Sequence, residues 1–307
     1  MLKHLYESQQ LEPEIIFKIF DKTDELIKKP FNSLNGKVLA TLFYEPSTRT
    51  RLSFESAMLR LGGSVISTEN AKEFSSAIKG ESLEDTIRIV SGYADCIVIR
   101  HYEDGAAKKA SFISDIPIIN AGDGSGQHPT QALLDIYTIY KEIGRLRNFK
   151  IAMVGDLAHG RTVRSLSYLI GKLGPGRNIE IIFISPDNLK MKDDLKEYLE
   201  RHEILFREET DMNNVLSECD IVYMTRIQKE RMSTKDYLKS KGKYVIDMKN
   251  IHLIKNEARI MHPLPHVEEI DLPIAIEQGD PRIAYFRQAR NGLFIRMALL
   301  DYLINKK

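Results

Sequence analysis

Ser47, Thr48, Arg49, Thr50 and Arg51 place three hydroxyls and two guanidinium groups on five consecutive positions. Such a cluster can hold a phosphate or a carboxylate, provided that the backbone brings the groups to one point. Val38 to Tyr44 is short, apolar and β-prone, and from Arg49 onward Leu52, Phe54, Ala57, Met58 and Leu61 recur at helical spacing. A strand therefore ends and a helix begins between Glu45 and Arg49. The hydroxyls and cations fall where a helix leaves its first N–H groups unpaired and its dipole end positive. An arginine there opposes the dipole, so two of them suit a site that expects an anion.

Other residues of the same character stand at similar places. Asp95 to Ile99 reads as a buried strand that delivers Arg100 and His101 at its end. After a short strand at Ile116 to Ile119, residues 120–127 (Asn-Ala-Gly-Asp-Gly-Ser-Gly-Gln) read as a flexible loop. It precedes His128-Pro129-Thr130-Gln131, in which Pro129 suits the first position of a helix and puts His128 and Gln131 one turn apart. Asn70 to Ser82 reads as a polar loop carrying Ser75 and Lys79.

A second run of strands and helices follows. Ile151 to Asp156 is a strand, Leu157 to Gly160 a turn and Arg161 to Leu173 a helix. Ile221 to Met224 is a strand that ends at Thr225-Arg226-Ile227-Gln228, and Arg259 to Met261 runs into His262-Pro263-Leu264-Pro265. Gly155 and Gly160 do not make a Gly-x-Gly-x-x-Gly fingerprint, which argues against dinucleotide binding. In open parallel sheets ligands sit beyond the carboxyl ends of strands, and both halves aim arginines at such ends. The expected architecture is α/β, with two doubly wound parallel-sheet domains and a cleft between them. Residues 1–130 plus 286–307 would form one domain and residues 131–285 the other.

Composition narrows the classes of function. A chain of 307 residues with 43% hydrophobic and 28% charged residues and a net charge of +1 is that of an ordinary globular protein, with no basic excess for nucleic acid or anionic membrane. Two cysteines, Cys96 and Cys219, sit beside apolar runs and support neither a disulfide framework nor a zinc site. No apolar signal core or membrane span is read, so the expected compartment is the cytoplasm.

Taken together, Ser47 to Arg51, His128-Pro129-Thr130-Gln131 and His262-Pro263-Leu264-Pro265 resemble the carbamoyltransferase family, in order and at family spacing, from the first helix to the last. Residues 226–231 (Arg-Ile-Gln-Lys-Glu-Arg) resemble the segment of the aspartate branch that binds the amino acid. Pro263 stands where the ornithine branch has a cysteine. The resemblance implies transfer of the carbamoyl group of carbamoyl phosphate to the α-amine of L-aspartate, giving N-carbamoyl-L-aspartate and phosphate. This is an early step of pyrimidine (UMP) synthesis, and it requires no metal or organic cofactor.

It also implies roles. Ser47, Thr48, Arg49 and Thr50 would grip the phosphate, and Thr50, Arg100 and His128 would point donors at the carbonyl oxygen. Gln131 and the carbonyls of Pro263 and Leu264 would accept from the carbamoyl NH₂. Arg161 and Arg226 would take the aspartate carboxylates, with Gln228 and Lys79 completing that pocket and Lys79 counted among the catalytic residues. The loop of Ser75 and Lys79 would come from a neighbouring subunit of a homotrimer with shared active sites, and regulatory chains could build a larger holoenzyme. Glu45 could pair with Arg161 or Arg231 as the cleft closes, and the Leu264–Pro265 bond is expected to be cis. Departures from the family are His266, where an arginine is common, and Ala158-His159, where Lys-Tyr is common.

Overall fold

The apolar run after Lys37 becomes strand β1 (Val38–Phe43), the centre of a parallel sheet. It pairs on one side with β2 (Ser64–Glu69) and on the other with β3 (Cys96–His101), and β4 (Ile118–Asp123) completes the order β2-β1-β3-β4. The register sets Thr41 beside Ser67 on one side and Val98 on the other. Strands β1, β3 and β4 are buried almost throughout, as parallel strands covered on both faces must be, whereas the edge strand β2 is largely exposed. Parallel pairing requires crossovers. Helix α2 (Thr48–Arg60) joins β1 to β2, α3 (Leu83–Ser91) lies between β2 and β3, and α4 (Ala106–Ile113) joins β3 to β4. The first helix, α1 (Pro13–Lys28), precedes the sheet, and Leu5 bridges to Ile119 at the free side of β4.

The computed structural model describes residues 2–29, 31–69 and 80–305, so Ser75 and Lys79 lie outside the described residues. The chain divides into two compact units, Met1–Leu134 with Asn291–Lys307, and Asp135–Arg290. Helix α5 (Pro129–Ile143) begins in the first unit and continues into the second.

The second unit is built on five parallel strands. β5 (Phe149–Val154), β6 (Ile179–Ile184), β7 (Leu205–Glu209), β8 (Ile221–Met224) and a later strand, Arg259–Met261, stand with that later strand first, then β8, β5, β6 and β7. Every pairing is parallel. Helices α6 (Arg161–Leu173), α7 (Asp193–Arg201) and α8 (Thr234–Ser240) lie between them. Two short strands, β9 (Ile246–Asp247) and a partner at Ile270–Asp271, form a separate parallel pair. In chain order Arg259–Met261 is β10 and Ile270–Asp271 is β11. Ala152, Val154, Ile182, Ile184, Val222, Met224 and Ile260 make the core of the five-stranded sheet with Ile246 and Tyr285.

Both units thus carry the parallel sheets flanked by helices that the sequence led us to expect. The departures are at weakly patterned segments. Helix α4 was not expected from its alanine-rich run, and α7 and β7 were missed because their exposed residues dilute the apolar rhythm. The last helix, α10, spans Tyr285–Ile304. Its first turns look like loop because they are polar, yet Arg287 Nε reaches Glu142 Oε1 at 2.6 Å and Gln288 Nε2 reaches Asp135 Oδ1 at 2.6 Å. A short helix, α9 (Ile274–Gly279), precedes it.

Candidate active site

In the first unit three neighbouring strands end side by side, and each hands the chain to a candidate residue. After β1 the turn at Glu45, Pro46 and Ser47 leads straight into α2, with Ser47 at the N-cap. Ser47 makes no side-chain capping bond, and no acidic residue occupies the first turn of α2. The helix therefore presents its positive end without the usual internal neutralisation. Thr48 and Arg49 are exposed there, while Thr50 is buried.

The two arginines of this turn have different fates. Arg51 Nη2 pairs with Glu69 Oε2 at 3.0 Å and its Nε lies 3.7 Å from Glu55 Oε1. Arg49 has no carboxylate partner among the described residues, which leaves it as the cation of the turn that is not already neutralised.

Arg100 is the penultimate residue of β3, next to β1, and its carbonyl accepts the N–H of Tyr44 at 2.8 Å. Its Nε lies 3.5 Å from Glu45 Oε2, so Glu45 meets an arginine of its own unit. His101 follows, stacked on Tyr102 with its ring also against Tyr44. Burial lowers its pKa, outweighing the nearby carboxylates of Glu103, Asp123 and Glu45, so this ring favours the neutral form.

β4 leads to His128 and α5. The segment 120–127, expected to be flexible, is instead pinned by Asp123. That buried carboxylate accepts from Asn120 Nδ2 at 2.9 Å, Gln127 N at 3.2 Å and Gly105 N at 3.0 Å. Its appearance in a glycine-rich stretch hid this role. His128 caps α5, its carbonyl accepting from Gln131 N at 3.0 Å and Ala132 N at 3.2 Å, and its Nδ1 lies 3.4 Å from Thr130 Oγ1. His128 and Gln131 are both buried. Ser47 to Thr50, Arg100, His128 and Gln131 thus gather along the carboxyl edge of β1, β3 and β4.

The second unit repeats the plan on β5, β8 and β10. Gly155 follows β5 with φ +121°, and a Cβ there would stand 2.2 Å from the carbonyl oxygen of Thr225. Glycine is required for the two strand ends to approach this closely. Asp156, fully buried, accepts from His159 N at 3.0 Å, lies 3.1 Å from His159 Nδ1, and takes Gln228 N at 3.4 Å. Arg231 Nη1 donates to the His159 carbonyl at 3.2 Å. One carboxylate thereby ties the turn that opens α6 at Arg161 to the segment of Arg226 and Gln228. Sequence reasoning treated Asp156 as a strand end. Its position just before the turn was the signal available.

β10 delivers His262, Pro263, Leu264 and Pro265. His262 is buried, Pro263 and Leu264 are half-buried, the Leu264–Pro265 bond is cis, and Leu264 has φ +56°. Arg161, Arg226, Gln228, Pro263 and Leu264 therefore stand beyond the carboxyl ends of β5, β8 and β10. Ser75 and Lys79 lie outside the described residues. Among the described residues no group of three or more His, Cys, Asp or Glu could hold a metal, and no helix is long and apolar enough to cross a membrane.

The chemistry of the two edges differs. The first offers uncommitted helix amides, hydroxyls and a cation, which suits a phosphoryl group. The second offers arginines, which suit carboxylates, beside a loop rich in backbone carbonyls.

Residues 3–141 match the family described as aspartate/ornithine carbamoyltransferase, carbamoyl-P binding domain, and residues 147–303 match aspartate/ornithine carbamoyltransferase, Asp/Orn binding domain. The chain is 54% identical over 315 residues to a chloroplastic aspartate carbamoyltransferase of Oryza sativa subsp. japonica, covering 99% of this chain and 85% of that protein. It is 50% identical over 309 residues to the aspartate carbamoyltransferase catalytic subunit of Methanocaldococcus jannaschii, covering 99% of this chain and 98% of that one. A solved structure of the catalytic subunit of M. jannaschii aspartate transcarbamoylase superposes with a TM-score of 0.88 at 48% identity, over 99% of this chain and 98% of that chain. Aspartate transcarbamoylase of Trypanosoma cruzi in complex with carbamoyl phosphate and aspartate superposes with a TM-score of 0.90 at 37% identity, over 97% and 96% of the two chains.

Proposed function

Because this chain belongs to the aspartate/ornithine carbamoyltransferase family, we propose that it is an aspartate carbamoyltransferase, moving the carbamoyl group of carbamoyl phosphate onto the α-amine of L-aspartate. The products are N-carbamoyl-L-aspartate and phosphate, and the reaction serves pyrimidine synthesis. The observation that carries the reading from this molecule is the mouth of α2. There Arg49 stands without a carboxylate among the described residues, beside three hydroxyls and an N-terminus that no acidic side chain neutralises.

On this reading Ser47, Thr48, Arg49 and Thr50 hold the phosphate. The amine nitrogen attacks the carbamoyl carbon, the bond from that carbon to the phosphate oxygen breaks, and the proton lost by the nitrogen is taken up by the departing phosphate. Thr50, Arg100 and His128 donate to the carbonyl oxygen, where negative charge grows in the transition state. Gln131 and the carbonyls of Pro263 and Leu264 accept from the carbamoyl NH₂. Arg161 and Arg226 clamp the two carboxylates of aspartate, aided by Gln228. Holding both substrates in one orientation supplies much of the acceleration.

We further propose a homotrimer in which the loop of Ser75 and Lys79 completes a neighbour's site, with Lys79 completing the aspartate pocket. Association with regulatory chains and a cytoplasmic location complete the proposal. Sedimentation with and without candidate regulatory chains tests the assembly, and cell fractionation tests the compartment, since plant relatives are named chloroplastic. The activity is tested by phosphate release from carbamoyl phosphate on addition of L-aspartate, with D-aspartate and ornithine as controls. Release with L-aspartate alone supports the proposal, and a preference for ornithine overturns the role given to Arg161 and Arg226.

A further inference from the structure

The loop that follows β10 is held from two sides by buried polar groups that no substrate role accounts for. His262 Nδ1 accepts the backbone N–H of Leu264 at 2.8 Å, and its Nε2 lies 2.9 Å from Glu269 Oε1. An imidazole nitrogen that accepts a hydrogen bond carries no proton, so the proton of the neutral ring sits on Nε2, 2.9 Å from the carboxylate oxygen but not aligned with it as a hydrogen bond. The same Glu269 oxygen takes the N–H of Val267 at 3.1 Å, closing residues 262–269 on themselves. Behind the ring, Gln288 Oε1 accepts the His262 N–H at 2.9 Å and its Nε2 donates to Asp135 Oδ1 at 2.6 Å. Tyr223 donates to the other oxygen of Asp135 at 2.7 Å. All these groups belong to one unit.

Leu264 needs such support. Its φ of +56° lies in the left-handed region, which a residue with a Cβ seldom adopts. The bond to its N–H therefore governs which way the neighbouring peptide planes face. Burial acts to raise the pKa of Glu269, yet His262 and the backbone N–H groups of Val267 and Glu269 hold it below the ordinary value, so the carboxylate stays charged at neutral pH.

We infer that Glu269 is a positioning residue for recognition of the carbamoyl amide. Its carboxylate sets the tautomer of His262, His262 holds the Leu264 N–H, and the peptide planes so fixed aim the carbonyls of Pro263 and Leu264 at the donor's NH₂. The inference rests on the carbamoyl-transfer reading above, and it adds a residue that selects the donor substrate without touching it.

The test compares wild type, Glu269→Ala and Glu269→Gln in the full chain, using carbamoyl phosphate as substrate and acetyl phosphate as competitor. Acetyl phosphate carries a methyl group where the donor carries NH₂. For Glu269→Ala the kcat/KM for carbamoyl phosphate falls on the order of 10²-fold, the cost of a small misplacement at the reacting group. The inhibition constant of acetyl phosphate stays at its wild-type value, because the phosphate grip is elsewhere. Glu269→Gln keeps an oxygen beside Nε2–H and recovers most of the loss. If Glu269→Ala does not fold, Glu269→Asp is read in its place, with the same selective loss expected. Parallel weakening of both compounds, or no change in either, overturns the inference while leaving the transfer reading intact. Absence of wild-type turnover overturns both.

Discussion

Replacing Arg49 with alanine separates a binding arginine from a structural one, because its two consequences run in opposite directions. Arg49 is exposed in the first turn of α2, with no acidic residue in that turn and no carboxylate partner among the described residues. A cation at this end of a helix opposes the dipole, so its removal should leave the ligand-free protein as stable or more stable by about 0.3–1 kcal/mol. On the proposed reading, bound phosphate or carbamoyl phosphate would accept two charge-assisted hydrogen bonds from the guanidinium. At roughly 1.5–3 kcal/mol each, discounted for exposure, their loss costs about 3–4 kcal/mol. That corresponds to a fall of about 10²–10³-fold in kcat/KM. Wild type should also melt at higher temperature as phosphate is added, by mass action, and the variant should lose most of this rise. Thermal unfolding with and without phosphate, run beside steady-state kinetics, reads both effects. A variant that is destabilised without ligand, or that keeps the phosphate-dependent rise, refutes the assignment of Arg49 to the anion.

Other expectations are as direct. Asp156→Ala removes the acceptor shared by His159 and the Gln228 N–H. It should raise KM for aspartate more than for carbamoyl phosphate, and lower stability by about 1–3 kcal/mol in chemical denaturation. Gly155→Ala sets a Cβ 2.2 Å from the Thr225 carbonyl at φ +121°. It should be destabilised by about 3 kcal/mol or more, and a thermal midpoint equal to wild type would contradict the close approach of the strand ends. His101 has a pKa below its ordinary value of 6.5 because it is buried. Below that ordinary value the unfolded chain takes up a proton that the folded ring resists. Its stabilising contribution is therefore whole at higher pH and lost as pH falls from about 6.5 toward the folded value. Against wild type, His101→Phe should show a constant offset above about pH 7 and a shallower decline below it in urea unfolding.

What was legible in the sequence follows from how parallel sheets work. Buried strands such as β1, β5 and β8 are nearly continuous apolar runs, and the residues just past them are the ones a ligand meets, so Arg49, Arg100, Arg161 and Arg226 could be picked out as site candidates. The supports were not legible. Asp123, Asp156 and Glu269 are single carboxylates in polar or glycine-containing stretches, and their partners are separated along the chain or are backbone N–H groups that carry no sequence signal. The neutralisation of Arg51 by Glu69 was hidden for the same reason, since the pairing depends on β2 lying beside β1. Elements lacking an apolar rhythm, α7 and the exposed edge strand β7, were lost because their stability comes from neighbours rather than from local pattern.

Passage of a carbamoyl group from phosphate to the amine of aspartate can be followed at the carbon that moves. Carbamoyl phosphate labelled with ¹³C at the carbamoyl carbon, incubated with the protein and L-aspartate and followed by ¹³C NMR, reads that transfer at the atom concerned. The label is expected to move to the ureido carbon of N-carbamoyl-L-aspartate, at a rate proportional to protein concentration and about 10²–10³-fold lower in Arg49→Ala. Label that reaches only bicarbonate or cyanate, at the rate seen without protein, would contradict the proposed transfer.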